Sequence, residues 1–226
     1  MEMSELNSAG DIFDEFITDY ESVCEQLIEF IASECFEKFV ESSWKYLKNC
    51  GSVWISVSNE EVEEITKELV EPLEYIKKFS DEYFLKLPRK INLNVNLQIL
   101  KKLDEFLFEN LLLLNKFSIS GIRQFSFDLN YGFNNFSGFF IGGVSQNLFK
   151  IENYFRKCRE GLTVLEANKN SILNILSELK RVEQEDEAKE SKFVVPKKSM
   201  MGLENIGFYK LSKSELLNLV DNRTDI

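Results

Sequence analysis

Between Gly10 and Gly51 the chain contains neither glycine nor proline, and Phe13, Phe16, Tyr20, Cys24, Leu27, Ile31, Cys35 and Phe39 recur three or four residues apart. That spacing places side chains on one face of an α-helix. The first helix is expected to begin near Asp11 and to run unbroken for about 60 Å at 1.5 Å per residue, a rod rather than a helix of ordinary length. Only three Pro and ten Gly occur in 226 residues. Long unpunctuated segments of this kind predict an all-α protein of antiparallel helical bundles. The one alternating stretch, Ser52 to Ser58 (SVWISVS), stands alone.

Further helices are expected from the same periodicity. Ser58 to Glu61 (SNEE) has capping-box spacing, which predicts a second helix from about Asn59 with Val62, Ile65, Leu69, Leu73 and Ile76 inward. Pro72 should kink or break it, and the KLPRK stretch at Lys86 to Lys90 should end it. Leu100, Leu103, Leu107, Leu111 and Leu114 form one stripe of a third helix, Asn92 to Lys116. Ile122, Phe125, Leu129, Phe133 and Phe136 then form a fourth, Ser118 to Phe136, and the pair reads as an αα-hairpin with a very short connection. Leu148 to Leu179 reads as one long helix weakened near Lys169. A short final helix behind a second capping box, Ser212 to Glu215, should bury Leu216, Leu217 and Val220. Two sub-bundles, about 1–90 and 91–226, are expected. Residues 183–198, opening on the run EQEDEAKESK, are expected to form a flexible acidic loop or a frayed helix end.

The net charge of -11 is concentrated at one end: Met1 to Glu37 holds eleven acids and no Lys or Arg, leaving 27 acids to balance 27 bases. Such a field repels phosphate backbones and anionic lipid, so no nucleic-acid partner is expected. No run of about 18 apolar residues and no charged-then-apolar leader is present, so no direct membrane insertion is expected. A start at Met1 followed by a long acidic helix also suits a fragment of a larger protein.

Histidine is absent, which removes the usual base near neutral pH and the commonest metal ligand. Cys24, Cys35, Cys50 and Cys158 lack the C-x-x-C spacing of zinc and redox sites and read as reduced thiols of a cytosolic protein. Gly142-Gly143 has no following Lys-Ser/Thr, so the apolar stretch SGFFIGGVSQ is not a phosphate cradle; Phe139 and Phe140 within it are a minor candidate for partner contact. Acid pairs such as Asp104 with Glu105 point to different sides of a helix and read as solvated. Asp128, set among aromatics, is expected to be buried in a structural role against a partner such as Arg156 or Arg159. No catalytic residue, cofactor or metal is expected.

The segment KLDEFLFENLLLLNKFSISGIRQFSFDL (Lys102 to Leu129) resembles the C-terminal region of the RINT/Tip family. ENYFRKCREGLTVLEAN (Glu152 to Asn168) and GLENIGFYKLSKSELLNLVDNRTD (Gly202 to Asp225) resemble it in the same order, whereas the first ninety residues match only in helical character and position. The resemblance implies a rod of stacked helical bundles of the CATCHR type. It also implies a non-enzymatic subunit of the Dsl/NRZ tethering complex, cytoplasmic and peripheral on the endoplasmic reticulum (ER). Such a subunit helps capture Golgi-derived COPI vesicles and binds an ER SNARE and other tether subunits. By the same resemblance, the N-terminal regions through which family members pair are expected to fall outside this chain. A subunit of another tether such as the exocyst, or a cell-cycle adaptor, is the alternative. The acidic face of the first helix, Asp14, Glu21, Glu25 and Glu29, is the candidate partner-binding surface, because the net charge is concentrated there.

Overall fold

In a computed structural model the chain is an all-α helical bundle. The structure describes residues 5–49, 51–56, 62–83, 86–133, 154–190 and 208–224. The SNEE capping box, Cys50, Phe136, the SGFFIGGVSQ stretch, Leu148, Ile151 and residues 191–198 lie outside them.

The first helix, α1 (Glu5–Asn49), is continuous, as the absence of Gly and Pro in its apolar run predicts, and starts before Asp11. A single turn, α2 (Gly51–Trp54), comes next where the sequence alternates, and it buries Trp54. α3 (Lys67–Tyr83) starts later than Asn59, with residues 62–66 non-helical. Its first turn is set by Thr66, whose N–H and hydroxyl are held by a carboxylate from elsewhere in the fold rather than by a local cap. Pro72 does not break α3. It lies in the second turn, so the one ladder bond it removes is that to the Glu68 carbonyl.

α4 (Arg89–Leu107) starts at Pro88, whose extended backbone suits a residue just before a helix. Its last turns widen into a π-helical segment, Phe108–Leu112, in which the Leu113 N–H donates to the Phe108 carbonyl at 3.0 Å. The extra residue per turn rotates the side chains beyond it. Leu100, Leu103, Leu107 and Leu111 stay buried, but Leu112 replaces Leu114, which is exposed. α5 (Ile119–Phe127) is capped by the Ser118 hydroxyl, which accepts from the Gly121 N–H, and it ends in a second π segment, Asp128–Gly132. The short connection predicted between α4 and α5 is present. The two do not form a packed hairpin: α5 lies chiefly against α2 and the next described helix, α6 (Arg156–Glu166).

Among the described residues, the single long helix expected over Leu148 to Leu179 is two helices. Ala167 adopts an extended backbone between α6 and α7 (Lys169–Glu190), where Asn168 accepts from the Ser171 N–H. Residues 183–190 continue α7. The last helix, α8 (Lys213–Asp221), carries the expected capping box of Ser212 and Glu215. Leu216, Leu219 and Val220 are buried and Leu217 is exposed, because i, i+3 and i+4 share a face and i+1 does not.

α3 and α4 each pack on α1, with Glu29 meeting Lys102 and Phe36 meeting Phe106 between α1 and α4. α6 packs on α4, α5 and α8. The chain end closes the bundle: Phe117 donates its N–H to the Asn222 carbonyl and accepts from the Thr224 N–H, and the Asn222 amide caps the carbonyls of Leu112 and Leu113.

Two backbones approach closely at Gly121, where a Cβ would stand 2.6 Å from the Trp54 carbonyl carbon and 2.7 Å from its Cα. Neither neighbour is a side chain that can turn aside. At Gly161 the nearest atoms are side-chain carbons of Leu112 and Phe108, at 3.0 and 3.2 Å. In urea denaturation Gly121→Ala is expected to cost about 3 kcal/mol, at the upper end of overpacking penalties. Gly161→Ala is expected to stay within about 1 kcal/mol of wild type, since helix propensity offsets the crowding.

Candidate protein-interaction surface

The anchored half of α1 buries Ile28, Ala32, Cys35, Phe39, Ser43 and Tyr46. The half before it departs from this pattern. Of the apolar series read from the sequence, Phe13, Phe16, Tyr20 and Leu27 are exposed, Cys24 and Ile31 are half-buried, and only Cys35 and Phe39 are in the core. The expected single stripe is two stripes. Asp14, Glu21 and Glu25 stand 18 residues, five full turns, ahead of Ala32, Phe39 and Ser43, so they occupy the same angular positions on the helix. The face that packs in the second half is thus carboxylate in the first, and carboxylates without partners resist burial. That substitution ends the bundle.

Asp14, Glu21, Glu25 and Glu29 are all exposed and share that side of α1. Glu29, nearest the bundle, is tied to α4 through Lys102 Nζ at 2.7 Å, and the Lys102 hydrogen bond holds its carboxyl below the usual range. The apolar residues beside them have the periodic spacing of a packed face, yet Phe13, Phe16, Tyr20 and Leu27 are exposed. The signal for it is a second periodic set, Ile28, Ala32, Ser43 and Tyr46, which competes with the first for the core.

Two buried acids are the other chemically distinctive groups. Asp128 accepts from the Tyr46 hydroxyl (3.0 Å), the Thr66 N–H and hydroxyl (2.8 and 2.6 Å) and the Gln124 amide (3.0 Å). These donors are neutral. The expected arginine contact is not the one made: Arg159 donates to Asn130 instead. Asp104 is not solvated, as its pairing with Glu105 suggests; it is buried and caps the start of α6, accepting from the N–H groups of Lys157 and Cys158. Burial pushes both carboxyls up, with the hydrogen bonds opposing it. Cys35 and Cys158 are buried free thiols and Cys24 is half-buried. Desolvation pushes the Cys35 thiol up to about 12, which makes it inert. Among the described residues no cluster of three metal-ligating side chains occurs, and no helix is long and apolar enough to cross a membrane.

The geometry presents a braced bundle and an exposed amphipathic half-helix. The family model that matches the chain, RINT-1/TIP-1, covers residues 1–223. The chain belongs to the RINT-1/TIP-1 family. The match takes in α1 and α3, where motif resemblance was weakest. Membership places the chain among tether-complex subunits, which work as protein-binding scaffolds. No curated protein and no solved structure is significantly similar to it.

A raised carboxyl in the fold binds its proton more tightly there than in the unfolded chain, so its contribution is complete below the unfolded value, about 3.9 for Asp, and is lost as pH rises through the folded value. Asp128→Asn keeps the shape and removes the titration. Its stability relative to wild type is expected to improve steadily as pH rises from about 4 toward neutrality, measured by urea melts across that range. Asp128→Ala, which strands Thr66 and Gln124, should cost about 2 kcal/mol or more throughout.

Proposed function

We propose that this chain is the C-terminal helical region of a subunit of an ER vesicle-tethering complex. It acts in Golgi-to-ER retrograde COPI transport by binding an ER SNARE and other tether subunits, and it is cytoplasmic and peripheral on the ER membrane. The role is non-enzymatic. The observation that carries the reading is the RINT-1/TIP-1 match along residues 1–223. The fold supports it, because a bundle that buries its polar chemistry and projects one helix is suited to holding other proteins.

The acidic face of α1, with Asp14, Glu21, Glu25 and Glu29, takes part in docking. Its side chains are exposed and lie in the stretch that carries the whole net charge. Reversal of all four to lysine changes only exposed side chains, and Glu29 is the one among them that also contacts α4, through Lys102. The reversal should abolish binding to the cytosolic region of the SNARE at low salt, and wild-type affinity should itself weaken between about 0.05 and 0.5 M salt as the charges are screened. Unchanged affinity in the variant removes these residues from the interface. The broader reading is tested by affinity purification of the tagged chain from lysate with mass spectrometry. Tether subunits and an ER SNARE are the expected co-purifying proteins, and recovery of neither contradicts it.

A further inference from the structure

Phe13, Phe16, Ile17, Tyr20, Val23 and Leu27 are each more than half exposed, with Tyr20 at 70%. At 100° per residue they fall within roughly 120° of the helix circumference and run for about 21 Å, four turns. Aromatic side chains of this size make a patch on the order of 600 Å², at or above the largest found on ordinary monomers. Carboxylates rim both edges: Asp14, Glu21 and Glu25 on one side, Glu15 and Asp19 on the other. No Lys or Arg occurs before Lys38.

We infer that the projecting half of α1 seats a basic amphipathic helix of a partner protein, its apolar face on this stripe and its Lys and Arg residues on the acidic rims. The complementarity selects among occupants. A second copy of the chain brings the same acids to the same rims, and like charges meet. Anionic lipid and nucleic acid are repelled for the same reason. A partner helix of about four turns, with apolar residues at i, i+3 or i+4, i+7 and i+11, fills the stripe and neutralises the rims together. The inference builds on the reading of the chain as a tether scaffold, and adds the surface and the partner chemistry.

The test uses the purified chain and three labelled peptides of about 18 residues, read by fluorescence anisotropy. The first has a leucine stripe flanked by lysines, the second has glutamate for every lysine, and the third is the first in scrambled order. Only the first should bind. The triple variant Phe16→Ser, Tyr20→Ser, Leu27→Ser should weaken it by about tenfold or more, as loss of central apolar anchors does, with an unchanged melting temperature. Equal binding of the scrambled peptide, or undiminished binding to the triple variant, overturns the proposal. So does a triple variant that melts lower or sediments as a smaller species, since the stripe is then covered by the chain itself or by a second copy. These readouts involve purified components, so they stand or fall separately from the recovery of tether subunits in lysate.

Discussion

The Asp128 carboxylate joins three parts of the fold that are distant in sequence. Its four hydrogen bonds come from Tyr46 on α1, Thr66 at the head of α3 and Gln124 on α5. Burying a carboxylate is costly, and only this number of donors makes it tolerable. The arrangement specifies position in a way that apolar packing does not, because leucines slide against one another at little cost and a carboxylate with four partners does not. Asp104 does the same for α6, and Glu160 gathers the N–H groups of Tyr209, Lys210 and Leu211 ahead of α8. Each binds backbone N–H groups at or just before the start of a helix, where the helix dipole favours negative charge. With no sheet among the described residues to set register, these three acids set how the helices meet.

The same residue type sets where the bundle stops. On α1 the core face runs through Ala32 and Phe39, and five turns earlier the same positions carry Asp14 and Glu21. Acid without donors ends burial; acid with donors directs it. α1 is consequently one continuous helix with two physical roles, a bundle strut after Ile28 and a free amphipathic arm before it. At the junction sits the Glu29 and Lys102 pair, an exposed contact that adds little stability.

Much of the architecture is legible in the residues. The continuity of α1 is written in the missing Gly and Pro, the end of the fold in the Ser212 capping box, and the core of α4 and α5 in their apolar spacing. The misreadings share a cause, which is that periodicity reports a helix and not its neighbours. Leu114 is lost to the π turn at Phe108, which a 3.6-residue repeat cannot anticipate, and the break at Ala167 shows only as a weakened stretch. Asp104 looks solvated because its partners, two backbone N–H groups, have no sequence signature. The apolar arm looks like core for a related reason: Phe13 and Phe39 fit one repeat locally, and the drift between them shows only when the buried set is known.

Because α1 is strut on one side of Ile28 and arm on the other, amide hydrogen exchange on the isolated chain should resolve the two. A helix without tertiary packing opens readily, since its stability rests on propensity alone. Amides of residues 13–27 should exchange orders of magnitude faster than those of residues 32–46, with the step near Ile28. Uniform protection along the whole of α1 would rule the division out, because it would mean that the exposed stripe is already covered.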